Sequence, residues 1–138
     1  MSNKKSIYEK FKTNKSAEVD GIYLDYGDGQ TIKIARAGGS NVKFEKAVQN
    51  TMRKYELQSK HGLLDPEQQR TIFREVLADT VVLSWTGFTD EAGNELACTK
   101  ANIIQVFTDL PDLFDDVLEQ SRKSSLFKAN VLEVEAKN

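Results

Sequence analysis

The spacing of apolar residues changes along the chain, and each change marks an element. Val19, Ile22, Leu24 and Tyr26, then Ile32, Ile34 and Ala37, alternate with polar residues on either side of "GDGQ". Period-two alternation around an Asp28-Gly29 turn predicts a β-hairpin, with strands near 18–26 and 30–37. Gly38-Gly39-Ser40 ends the second strand. Phe44, Ala47, Val48, Thr51, Met52 and Tyr55 then follow helical spacing, predicting a helix over about 41–61 that Ser40 or Asn41 caps and Gly62 ends. In "DPEQ", Asp65 sits at the N-cap, Pro66 at the first helical position and Gln68 three after the cap, which opens a second helix. Ile72, Phe73, Val76, Leu77, Val81 and Trp85 extend that pattern to residue 85, and "VVL" at 81–83 makes its C-terminal half apolar on more than one face.

After the polar loop "TGFTDEAGNELAC", Thr99 caps a short helix over 99–109, and Pro111 starts the last one. The fold class expected is α+β, predominantly α: an N-terminal hairpin followed by four helices, about 41–61, 65–85, 99–109 and 111–135. Residues 18–138 make one domain. Residues 1–17 hold five lysines and little apolar content, and are expected to be a flexible basic segment, although "IYEKF" suits one helical turn.

The last helix changes face part-way. Leu113, Phe114, Val117 and Leu118 form one apolar stripe, whereas Phe127, Val131 and Val134 lie about 105° further round at helical spacing. Ser124-Ser125 marks the change. Two readings fit: a kink or frayed tail beyond Ser125, or a second stripe meant for another chain. The candidate partner surface is therefore Phe127, Val131 and Val134, together with the acidic stripe Asp112, Asp115, Asp116 and Glu119.

Those acids invite a catalytic or metal reading. Catalytic carboxylates need a pocket and perturbed pKa values, and a solvated stripe beside a clean apolar face predicts neither. Asp112 in the first turn also suits the helix dipole. The rest of the chemistry is sparse. His61 is the single histidine and Cys98 the single cysteine, too few for a Cys/His zinc site. Cys98 beside a helix start invites a lowered pKa, although a small apolar filler is the commoner role. "RAGGSN" lacks phosphate-loop spacing, and "DEAGNE" lacks calcium-loop spacing and reads as a turn. No enzyme activity, metal or cofactor is expected.

Charge changes the picture in one respect. Residues 1–60 hold 12 Lys+Arg against 7 Asp+Glu, a net +5, and residues 61–138 hold 7 against 14, a net −7. Such halves allow head-to-tail attraction between copies, within a screening length of about 8–10 Å. A pI near 5.5 without an aromatic-basic platform argues against nucleic acid. The absence of a membrane-length apolar run, a secretory h-region and a cysteine pair points to a cytoplasmic protein.

Three stretches, "ARAGGSNVKFEKAV" (35–48), "LADTVVLSWTGFTDEAGNEL" (77–96) and "FTDLPDLFDDVLEQSRKSSLF" (107–127), together resemble the tail assembly chaperones, or minor tail proteins, of long-tailed bacteriophages. The resemblance spans about residues 18–128 in order and rests on "ARAGG", "W-x-G-x-T-D" and "F-x-D-L-P-D-L-F" in combination. It implies a small, mainly helical protein of the infected host's cytoplasm that binds the tape-measure protein and promotes tail-tube assembly, with tail-tube protein as a further partner and no catalytic residues. A structural virion protein, such as a head–tail connector or tail terminator, is the alternative.

Overall fold

A computed structural model describes residues 4–59 and 63–128. Two short helices, α1 (Ile7–Phe11) and α2 (Lys15–Asp20), precede the hairpin strands β1 (Ile22–Asp25) and β2 (Thr31–Ile34). Then come α3 (Val42–Gln58), α4 (Pro66–Thr80), β3 (Val82–Thr86), α5 (Lys100–Asp109), α6 (Pro111–Arg122) and a 3-10 turn, Ser124–Phe127. The fold is α+β and mostly helical, as the periodicity predicts.

The hairpin forms where expected, with Asp28 (φ 53°) and Gly29 (φ 74°) in its loop. Its first strand starts later, at Ile22, because Asn14 caps α2: its side chain accepts from the Ala17 amide, and residues 15–20 coil. Residues 4–17 thus hold α1 and the first half of α2, each opened by a side-chain cap, from Ser6 and Asn14.

The larger departure is at 81–86. The helix ends at Thr80, and Val82–Thr86 forms a third strand instead of a last helical turn. Strand order is β1-β2-β3, all antiparallel, with Ile32 opposite Trp85 and Ile34 opposite Val82. Val, Trp and Thr suit a pleated surface, and β3 satisfies the backbone groups on the second edge of β2 that a hairpin alone leaves open. Ile32 and Ile34, on the central strand, are fully buried against Leu77, Val81, Ile103, Phe107 and Val117.

The "ARAGGSN" segment fastens the layers together. The amide of Ala35 donates to Val81 O, that of Arg36 to Glu18 O and that of Ala37 to Ser121 O, at 2.8 Å each. Asn41 sits at the N-cap of α3 without a side-chain cap bond; its carboxamide instead donates to Arg36 O and Thr80 O, both 2.9 Å. Glu18, only 2% exposed, accepts from Thr13 Oγ1 (2.6 Å), Arg36 Nη1 (2.9 Å) and the Ser40 amide (3.1 Å). Burial pushes this carboxyl up, but those hydrogen bonds and the Arg36 charge outweigh it and hold it below the ordinary glutamate value. Gly39, at φ +55°, passes so close to the Glu18 carboxylate that a Cβ there would collide with Oε2.

The same region corrects the reading of Phe127. α6 stops at Arg122 and the chain tightens into the 3-10 turn, so helical phase is lost before residue 127. Phe127 is fully buried, its carbonyl accepts from the Asn14 amide at 2.7 Å, and Lys128 pairs with Thr13. It is core between the N-terminal segment and the end of α6, not a free stripe. Val131 and Val134 lie outside the described residues, as do His61, Gly62 and the proposed helix beyond 128.

Candidate functional site

The corner between α5 and α6 is built by "FTDLPDLF". Pro111 offers no amide to continue α5 and sits at the first position of α6. The Leu110 amide closes α5 on Val106 O at 2.8 Å. Phe107 and Phe114 lock the corner from inside, ring centroids 5.6 Å apart. Leu110 is left 54% exposed on the outside.

"W-x-G-x-T-D" builds the facing wall. Trp85 stacks on Phe88, with centroids 4.7 Å apart, and its indole donates to Leu96 O at 2.8 Å. Gly87, at φ +77°, lets β3 pass against the hairpin loop, where a Cβ would collide with Gly29 O. Thr89 bridges to Glu95. Asp90 Oδ1 accepts from the Ala92 and Asn94 amides, both 2.9 Å. Backbone hydrogen bonding, led by Asn94, holds the Asp90 carboxyl below its ordinary value. "DEAGNE" is thus a turn whose first carboxylate is spent on its own backbone.

Between these walls lies a groove of about 340 Å³, lined by Tyr26, Phe88, Leu96, Val106, Leu110 and Leu113 among others. It shares Thr89, Leu96, Val106 and Leu110 with a second concavity of about 250 Å³ that adds Asp90, Glu91 and Asp109. Tyr26 closes one side: its hydroxyl donates to Asp116 Oδ2 at 2.7 Å. Burial first, then the Asp116 carboxylate, pushes the Tyr26 phenol above its ordinary value. The site has an apolar floor and an acidic rim.

The stripe on α6 is divided by this geometry. Asp112 and Asp115 are exposed, and Glu119 faces solvent 3.9 Å from Lys123 Nζ. Asp116 alone of the four is half-buried, holding Tyr26 and, at 3.3 Å, Gln120. Among the described residues no group of three or more His, Cys, Asp or Glu side chains is placed to hold a metal ion. Burial pushes the Cys98 thiol up, the opposite of an activated thiolate. The apolar half of the groove was not anticipated. Tyr26, Phe88 and Leu110 come from three distant segments, and the available signal was that two of the three family-like motifs are rich in turn residues.

A family model described as YdaY prophage protein matches residues 39–138, most of the chain. The protein belongs to the YdaY prophage protein family. Both motifs that wall the groove lie inside the matched span, and of "ARAGG" only Gly39 does. Comparison of this prophage protein with curated proteins and with solved structures gives no match. No helix among its described residues is long and apolar enough to cross a membrane.

Proposed function

We propose that this prophage protein is a tail assembly chaperone: a non-catalytic binder that holds the phage tape-measure protein in the host cytoplasm and promotes assembly of tail-tube subunits around it. The observation that carries the reading is that "W-x-G-x-T-D" and "F-x-D-L-P-D-L-F", the motifs behind the tail-chaperone resemblance, meet at one apolar groove with an acidic rim. An amphipathic helix with a basic border fits such a groove through anchors at i, i+3/i+4 and i+7. Membership of a prophage family supplies the phage context.

Co-expression with the tape-measure protein of the same prophage is the test. The client is expected in the soluble fraction with the native chain, and in the pellet with Leu110→Glu/Leu113→Glu. A client equally soluble with that variant would remove the groove from the mechanism. Mass spectrometry of purified virions is expected not to find the chain; recovery in ring multiples would instead make it a connector or tail terminator.

A further inference from the structure

The N-terminal helix presents large, mostly exposed apolar side chains. Ser6 caps α1 by accepting from the Glu9 amide, so the turn is preformed. Yet Ile7 is 62% exposed, Tyr8 81% and Phe11 68%. Ile7, Tyr8, Phe11 and Lys12 line an open concavity of about 510 Å³. Exposed aromatic and aliphatic residues clustered in this way mark an interaction surface. Its surroundings are basic: residues 4–15 contain five lysines and one glutamate.

We propose that the protein self-associates head to tail, the lysine-flanked α1 of one copy seating in the acid-rimmed groove of the next. The two surfaces are complementary in both respects. The groove offers apolar Phe88, Leu96, Val106, Leu110 and Leu113, and its adjoining concavity offers Asp90, Glu91 and Asp109, with no lysine or arginine among the described lining residues. They also stand at opposite ends of one helix. The groove lies at the start of α6, at Leu110 and Leu113. α1 is moored past the end of α6, by Thr13 pairing with Lys128 and by Lys128 Nζ lying 5.4 Å from the centroid of the Phe11 ring. Twelve residues of α6 separate them, about 18 Å at 1.5 Å per residue. A surface at one end that fits a different surface at the other makes a heterologous contact, which repeats into rings or open chains and does not stop at a symmetric pair. A single short helix covers less than a standard interface, so the association is weak and salt-sensitive. This inference rests on the groove and not on its occupant in tail assembly, and its test contains no client.

Sedimentation velocity of the full chain over a concentration series is the experiment. The weight-average mass is expected to rise with concentration at low salt and to fall back toward the monomer at about 1 M salt, where the screening length is about 3 Å. Ile7→Ser/Tyr8→Ser removes the plug. Glu91→Lys/Asp109→Lys reverses the rim, and a lysine at the C-terminal end of α5 suits the helix dipole, so the fold is not penalised there. Each variant alone is expected to stay monomeric, with unchanged circular dichroism. Mixed, they are expected to form a dimer and nothing larger, because each retains the surface the other has lost. A chain that stays monomeric throughout the low-salt series overturns the proposal. So does self-association of either variant alone, or a mixture that remains monomeric.

Discussion

The Glu18 site is the place where one substitution should unfasten most. Glu18→Ala removes a buried carboxylate and strands Thr13 Oγ1, the Arg36 guanidinium and the Ser40 amide, which reach it at 2.6, 2.9 and 3.1 Å. Breaking a fully buried pair by deleting one partner costs about 3–5 kcal/mol; with Arg36 still 22% exposed and able to rehydrate, about 2–4 kcal/mol is expected. Urea unfolding followed by Trp85 fluorescence measures it. Arg36→Met tests the pairing: the double variant should lose less than the sum of the singles, by at least about 1 kcal/mol. pH supplies an independent check. The folded carboxyl lies below its ordinary value of 4.5, so the unfolded chain binds this proton first as pH falls. The stabilisation is complete above about 4.5 and is lost as pH drops through the folded value. The advantage of the native chain over Glu18→Gln should therefore be constant from neutral pH down to about 5 and shrink below 4.5. A loss under about 1 kcal/mol for Glu18→Ala, or a pH-independent difference from Glu18→Gln, would refute the argument.

Other substitutions probe the core and the groove. Leu77, fully buried between α4 and the sheet, should cost about 2–5 kcal/mol as Leu77→Ala; a small shift in a denaturation midpoint would mean that its face is wrongly placed. Phe127→Ala should cost about 3–5 kcal/mol, read as a large drop in melting temperature, whereas an exposed residue would melt unchanged. Spectrophotometric titration should show a tyrosine ionising well above the ordinary value of 10, and Asp116→Asn should lower it. Because the phenol is held protonated, Tyr26 should contribute stability below about pH 10 that is lost as pH rises further, and Tyr26→Phe should reduce that dependence to the part left by Tyr55, whose phenol is raised by its hydrogen bond to Glu75.

Helical spacing and proline placement made α3, the start of α4, α5 and the first turns of α6 legible, because their signals are local. The strand at 82–86 was not. Val81 and Trp85 are four apart and continue the stripe of α4, and only the open edge of β2, some fifty residues earlier in the chain, decides that the segment extends. Glu18 looked like any acid in a polar stretch, since nothing near it announces that Arg36 and Ser40 return to it. Helical spacing puts Phe127 on a second stripe only if α6 continues in phase, but the chain tightens after Arg122 and turns the ring inward. In the groove, the motifs were visible as sequence; that they adjoin across the sheet end depends on tertiary packing alone.

Three consecutive amides, those of Ala35, Arg36 and Ala37, bind carbonyls at residues 81, 18 and 121. This has a consequence for synthesis. When Ala37 is added to the growing chain, its eventual acceptor, Ser121, is still 84 residues away in the sequence. At about 5–20 residues per second that gap lasts roughly 4–17 s. Throughout that interval the Ala37 amide lacks its native acceptor, because the helix that supplies it does not exist. The hairpin and α2 can form early, but the joint that locks them to the helices is completed only once α6 has been made.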